Sequence, residues 1–430
     1  MHSNRRHGRI DDAIGYLKDI SWVLSANVVS QLIAVGILPL LSRIYTPKDF
    51  AVQNMLVQVA GFMTICLAWR YEQLINLPAT DAGASALGRL INRMAFWGMV
   101  LLSPLVWVWR LPLATAMGLP KLENYLPVGV VTAAFTVWAS TRQSYMQRIG
   151  NFRLSSASEV AGKSSFAATA YLFQPMLSGA WGLVLAGLAA NAVKLATLVF
   201  GSARVSEDKS ADGREIARKF VHLASTLSGS HLLMTLTGLI PSIALARRYG
   251  GEVLGQYGLV AATLFLPTVL LSGALGQVFY QRAAAAWVSG KSFHALWMQT
   301  VKWLVIGALP ACLIFSWIAE WAYPYFFGSQ WRVAGQFAVL LLPAAFFSLI
   351  SSPLDRGCLV VGAWHYVLGW HTLRAASTAL VAWGAIKLDW SISQFLIGLS
   401  AQMSFCYLLD LLAGWHFSRL IPAQAGVGGS

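Results

Sequence analysis

Charge is scarce in this sequence. Asp, Glu, Lys and Arg make up 11% of its 430 residues and hydrophobic residues 57%, whereas a soluble domain carries roughly 25% charged residues. An ordinary water-soluble globule is excluded. Cysteine is also rare: Cys66, Cys312, Cys358 and Cys406 stand singly in apolar stretches, with no Cys-x-x-Cys spacing and no histidine cluster beside them. They read as small core residues, so no disulfide framework and no metal site is expected. Paired carboxylates, a nucleophile elbow and the long outer loop of a membrane-embedded polymerase or ligase are missing too, so no enzyme is expected. No nucleic-acid partner is expected either. Met1 to Lys18 is basic and polar without a short apolar run and cleavage site, so no removable signal peptide is expected and the first span would be its own insertion signal.

Long apolar runs fill the rest. A hydrocarbon core needs about 20 apolar residues per helical span, and runs of that length recur along almost the whole chain. Only helices and closed barrels satisfy their backbone groups in lipid, and these runs are not short alternating strands, so the fold class is an all-α membrane protein. Hydropathy and loop signals predict about twelve transmembrane helices. They lie near 20–42, 50–72, 93–111, 124–146, 158–177, 179–201, 221–246, 253–281, 297–320, 333–355, 363–386 and 391–415. The 202–219 stretch SARVSEDKSADGREIARK is the longest polar segment between them. It divides the chain into an N-terminal six-helix lobe (1–201), a cytoplasmic linker (202–220) and a C-terminal six-helix lobe (221–430).

An internal echo supports two halves. GILPLLSRIYTPKDFAVQNML in the first has a counterpart in GLIPSIALARRYGGEVLGQYGL in the second. Parallel repeats of this kind predict two lobes around a central cavity, with transport by alternating access.

The formal net charge is +14. About 21 Lys and Arg residues fall on one side of the predicted spans and about 8 on the other, which places both termini in the cytoplasm. Two cations escape this topological reading: Lys194 and Arg374 lie inside apolar spans. A charge at a helix centre costs about 3 kcal/mol on insertion scales, so Arg374 calls for polar company. His371, Arg374 and Thr378 share one helix face, and the plain alternative for Arg374 is a structural pair with Asp355 or Asp410. For Lys194, preceded one turn earlier by Asn191, the alternative is snorkelling to the interface. Asn27 with Gln31, and Asn54 with Gln58, form polar stripes on the first two helices that fit either a wet cavity wall or interhelical hydrogen bonding. Most of the Trp residues fall near predicted interfaces, as an aromatic belt would have them.

Three segments in order carry a family resemblance. LPLLSRIYTPKDFAVQNML (38–56), RYEQLINLP (70–78) and RQSYMQRIGNFRLSSASEV (142–160) resemble, respectively, a helix-end element, a signature after the second helix and a basic fourth-to-fifth helix connection. The family is the Wzx-type oligosaccharide-lipid flippases of the multidrug/oligosaccharidyl-lipid/polysaccharide exporter superfamily. The chain departs from it at Ala51, where many members have Gly, and its second half has no assignable motif. The resemblance implies transport of an undecaprenyl-diphosphate-linked oligosaccharide across the bacterial inner membrane for assembly of a surface polysaccharide. Membrane lipids, and a polysaccharide polymerase with a chain-length regulator, are the partners that pathway implies.

A diphosphate calls for cations, because Arg forms bidentate charge-assisted bonds to phosphate oxygens. The expected substrate-binding residues are therefore Arg374, Lys194 and Arg70, with Asn27, Gln31, Asn54, Gln58 and His371. Glu72 and Arg142 are expected at a cytoplasmic gate. Arg70 and Glu72, at i and i+2, cannot face each other on a helix, so each is expected to pair elsewhere. No cofactor is implied beyond H+ or Na+ coupling, for which His222, His231, His294, His365 and His371 are titratable candidates. The competing readings are a multidrug exporter, which would want buried carboxylates where Asp355 and Asp410 sit only toward helix ends, and a lipid-II-type flippase.

Overall fold

The computed structural model describes residues 28–202 and 212–421. Among the described residues there are twelve long helices, a four-residue helix at Gly357–Val360, a few single 3-10 turns and no strand. The long helices are α1 (Val28–Ile44), α2 (Pro47–Ala68), α3 (Asp81–Ala116), α4 (Leu126–Arg148), α5 (Phe152–Phe173), α6 (Trp181–Gly201), α7 (Gly213–Tyr249), α8 (Gly251–Val288, broken at Phe265), α9 (His294–Phe327), α10 (Arg332–Ser351), α11 (Trp364–Lys387) and α12 (Ile392–Arg419). Each predicted span overlaps one of them. The fold class is an all-α, multi-pass membrane protein.

Eight of the described helices are long and apolar enough to cross a membrane: α2, α3, α6, α7, α8, α9, α10 and α12. Their packing sorts them. In the most apolar windows of α3 and α9 only 11% of residues are buried, against 50% in α2 and 56% around α10. The first two thus turn most of their apolar surface to lipid and the last two form core.

Contacts divide the described residues into two units: 28–45, 56–116, 120–202 and 212–228 in one, and 46–55, 117–119 and 229–421 in the other. The division falls within α7, after Ser228, and not in the polar 202–220 stretch. A helix that runs 37 residues without a break carries the chain from one unit into the next.

Unit 2 also takes the first turns of α2. A Cβ on Gly255 would come within 1.7 Å of the Pro47 carbonyl oxygen, so α8 meets α2 at backbone contact. Small residues permit such approaches in membranes, where no hydrophobic drive brings helices together. The same device joins α9 to α10, where Gly335 lies against the backbone of Ala319 and Glu320. Pro47 of the first echo segment and Gly255 of the second thus meet within unit 2.

Candidate functional site

Arg374 lines a cavity of about 290 Å³ in unit 2. Three helices and one turn build it. Tyr366, Trp370, His371 and Arg374 project from one face of α11, Tyr407 and Asp410 from α12, and Ser351 from the end of α10, with Asp355, Arg356 and Cys358 from the turn that follows. The Arg374 guanidinium carbon lies 4.7 Å from the Trp370 ring centre and 5.2 Å from that of Tyr407, within cation–π range of both. Its one hydrogen bond is a long one, Nη2 donating to the Tyr407 hydroxyl at 3.4 Å. Arg374 has no ion pair among the described residues, so the alternative reading of a structural pair with Asp355 or Asp410 is not met. Aromatic faces hold the cation while most of its five N–H donors are unclaimed by protein.

Asp410 occupies the other side of the cavity. Its carboxylate accepts hydrogen bonds from the Ser351 hydroxyl and, at 2.7 Å, from the Tyr366 hydroxyl. Asp355, exposed beside Arg356, lines the same cavity. Distance in sequence from the Arg374 face hid this grouping: 55 residues separate Asp355 from Asp410, yet the C-terminal end of α10 meets the C-terminal part of α12, where Ser351 bonds Asp410. Asp355, Asp410 and Arg374 thus line one cavity, although the two acids lie toward helix ends. His371 lines the same space, and its Nδ1 is buried without a partner. Thr378, one turn beyond Arg374, is buried with its hydroxyl unpartnered and does not line the cavity.

The 70–78 segment forms a second candidate element, in unit 1. α2 ends at Ala68, and Trp69 and Arg70 then adopt left-handed backbone (φ +48° and +55°) before a single 3-10 turn over Tyr71–Leu74. That reversal overturns one expectation. Off the helix, residues at i and i+2 can meet, and Arg70 Nη1 lies 2.9 Å from Glu72 Oε1, with side chains 16% and 6% exposed. Arg70 Nε and Glu72 Oε2 remain buried without partners. Burial pushes the Glu72 carboxyl above its ordinary value, more strongly than the adjacent Arg70 charge pulls it down. The turn is pinned from outside: Tyr71 donates to the Ala217 carbonyl (3.2 Å), Trp69 Nε1 to Ser225 (3.2 Å), and Arg148 to the Ile75 carbonyl (3.3 Å) while pairing with Asp81. Strained backbone held in place by its surroundings is a mark of functional turns.

The other expected residues scatter. Lys194 is neither snorkelling nor unpaired: its ammonium sits 2.5 Å from Glu159 on α5, with side chains 15% and 30% exposed, and Glu159 also accepts from Gln143 at 3.0 Å. Sequence reasoning passed over Glu159; the signal was an acid inside one span facing a lysine inside the next. Asn54 lies against the backbone at Gly258 of α8, where a Cβ would meet its amide nitrogen at 2.9 Å, so this stripe residue serves helix packing, with its Oδ1 unpartnered. Gln31 and Gln58 are half-buried, and none of these residues lines the Arg374 cavity. Asn27 lies outside the described residues. Arg142 donates to the Ser202 hydroxyl from Nε (3.0 Å) and Nη2 (2.6 Å). Among the described residues no three His, Cys, Asp or Glu side chains converge as metal ligands would.

Residues 40–336 match the family described as polysaccharide biosynthesis protein. The chain belongs to that family. No curated protein matches its sequence. Among solved structures it is similar to the inward-facing conformation of a multidrug resistance MATE family transporter of the MOP superfamily, at 14% identity and a TM-score of 0.66, covering 91% of this chain and 93% of that one. It is also similar to the lipid II flippase MurJ in an inward closed conformation, at 11% identity and a TM-score of 0.60, with 93% and 88% covered. A MOP superfamily transporter from Pyrococcus furiosus gives 14% identity and a TM-score of 0.53, with 92% and 93% covered. At these identities the likeness is one of fold. This polysaccharide biosynthesis protein thus shares the fold of the MATE transporter and of the lipid II flippase named above. The 70–78 turn and the Arg142 connection lie within the matched region; the Arg374 cavity lies beyond it.

Proposed function

We propose that this polysaccharide biosynthesis protein flips an undecaprenyl-diphosphate-linked oligosaccharide across the bacterial inner membrane by alternating access, with both termini cytoplasmic. One observation carries the choice of an anionic substrate. Arg374 is a membrane-embedded cation with no carboxylate partner, held by ring faces and presenting unclaimed donors to a cavity. Such a residue is costly to keep unless an anion visits it. The diphosphate would meet the guanidinium, with His371 adding a polar edge. The Arg70–Glu72 turn would act as a gate, because its unpartnered buried atoms gain by meeting a polar headgroup. Lys194, neutralised by Glu159, supports the fold and does not share the diphosphate. A polymerase and a chain-length regulator would take the product.

Asp410 supplies the coupling in this reading. Ionised, it competes for the field of Arg374 from across the cavity; protonated, it releases Arg374 to the diphosphate. A second reading, export of small cations, draws on the same carboxylate. Proteoliposomes holding the purified chain distinguish them. Flipping of a fluorescent polyprenyl-diphosphate glycan without export of a cationic dye supports the proposal. Dye export without glycan flipping overturns it.

A further inference from the structure

A separate basic recess lies in unit 1, on a surface the proposed transport does not use. Arg89, Arg93 and Trp97 follow one another at one-turn intervals along one face of α3. Two cavities open along that stripe and share Arg93 and Trp97. The first, of about 560 Å³, adds Trp138 and Arg142 of α4 and Val199 of α6. The second, of about 1030 Å³, adds Arg89 together with Asp212 and Arg214 at the start of α7. Four arginines and one aspartate thus border a continuous recess, and the Asp212 carboxylate already accepts the Arg214 backbone N–H at 2.9 Å.

The recess is held open by specific contacts. Trp138 Nε1 donates to the Asn92 carbonyl at 3.3 Å, tying α4 to α3. Arg142 on Ser202 ties α4 to the end of α6. Gly213 brings α7 so near α3 that a Cβ would stand 2.4 Å from the Ala86 carbonyl oxygen. Arg93 itself has no hydrogen bond or ion pair among the described residues. Beside the arginines the surface turns apolar and open: Phe96 is 45% exposed, Trp97 59% and Val199 46%. α3 buries little of its apolar window, so this is surface that lipid covers. Cations at the end of a span, tryptophans level with them and an apolar furrow running away match the headgroup, interface and chains of a phospholipid in that order.

We infer that this recess seats an anionic phospholipid of the surrounding leaflet, its phosphate on Arg93 among Arg89, Arg142 and Arg214, and its acyl chains along Phe96, Trp97 and Val199. The excess of positive charge favours a headgroup with two phosphates over one. The test is native mass spectrometry of the full chain in mild detergent, titrated with cardiolipin and with phosphatidylcholine. Cardiolipin should bind in preference, and Arg93→Gln and Arg214→Gln should each weaken it about fivefold, at roughly 1 kcal/mol per arginine near the membrane surface. Arg93→Lys should stay within about twofold of wild type, because charge and not fork geometry is what this site uses. Arg110→Gln, at the other end of α3, should change nothing. Equal binding of the two lipids, or an Arg93→Gln Arg214→Gln double variant that binds cardiolipin as wild type does, would overturn the inference. Displacement of cardiolipin by an equimolar polyprenyl diphosphate would overturn it differently, by making the recess a dock for the transported lipid.

Discussion

Substitution of Arg374 tests the proposed function most directly, because the structure separates its functional from its structural contribution. The guanidinium has no ion pair to break among the described residues; what it loses on truncation is contact with two rings and one 3.4 Å hydrogen bond. Cation–π contacts contribute about 0.5–2 kcal/mol each, so Arg374→Ala should lower stability by roughly 1–3 kcal/mol and still give folded protein. A charge-assisted contact to phosphate is worth about 1.5–3 kcal/mol, or roughly 10- to 150-fold in transport at subsaturating substrate. Arg374→Lys keeps the charge but not the planar fork and should retain part of the activity. Arg374→Ala should lose most of it and Arg374→Glu nearly all. Flipping in proteoliposomes, normalised to protein inserted, gives the order, and the melting temperature in detergent gives the structural share. Wild-type flipping by a folded Arg374→Glu variant would refute the reasoning. It would move the diphosphate site toward the basic ends of α2 and α4, around Arg70 and Arg142.

Glu159→Gln should destabilise the protein by about 3–5 kcal/mol, since it leaves Lys194 buried without its partner, whereas a Glu159→Gln Lys194→Met double variant should recover much of the loss in the same thermal melt. Recovery of stability without recovery of transport would give Lys194 a role in substrate handling after all. Glu72 should leave a pH signature: its folded-state pKa is raised above the ordinary 4.5, so the folded chain holds that proton longer than the unfolded one, and stability should fall as pH rises from about 4.5 through the raised value. Glu72→Gln should flatten that part of the melting-temperature profile; an unchanged slope would mean the carboxyl is not the group titrating. Asp410→Asn should leave glycan binding intact while making transport insensitive to an imposed pH gradient, and a variant that still responds would remove Asp410 from coupling.

How much was legible in the sequence follows from which signal each feature left. All twelve long helices lie on predicted spans, because apolar length is a property of single segments. α4, α5 and α11 fall short of the apolarity that marks the other long helices, and they are the ones that carry Arg142 and Gln143, Glu159, and Arg374 with His371. Polarity that weakens a span as a hydropathy signal is the same polarity that makes a site. Partners were less legible. The Lys194–Glu159 pair joins residues 35 apart and Ser351–Asp410 residues 59 apart, and nothing in one helix says which residue of another will face it. The Arg70–Glu72 pair was misjudged for a local reason: a helical rule was extended past Ala68, where the backbone turns left-handed at two non-glycine residues.

That turn and the Arg374 cavity raise the same physical question, why a membrane protein leaves buried polar atoms unsatisfied. In the Lys194–Glu159–Gln143 cluster the charges and their donors meet at 2.5 to 3.0 Å, as stability alone would require in a medium of low dielectric. At Arg70, Glu72 and His371 buried atoms lack partners, and at Arg374 most donors do, although each such deficit costs on the order of 1–3 kcal/mol. In the proposed function a polar headgroup passing through supplies the missing bonds at Arg374, His371, Arg70 and Glu72, and its departure restores the deficit, so that binding is strong enough to admit the substrate and weak enough to release it. In that function the complete cluster belongs to the scaffold and the incomplete ones at Arg70, Glu72, His371 and Arg374 to transport. This division also makes the Glu159 and Arg374 variants a matched pair: the first should move the melting temperature far more than the flipping rate per folded molecule, the second the reverse.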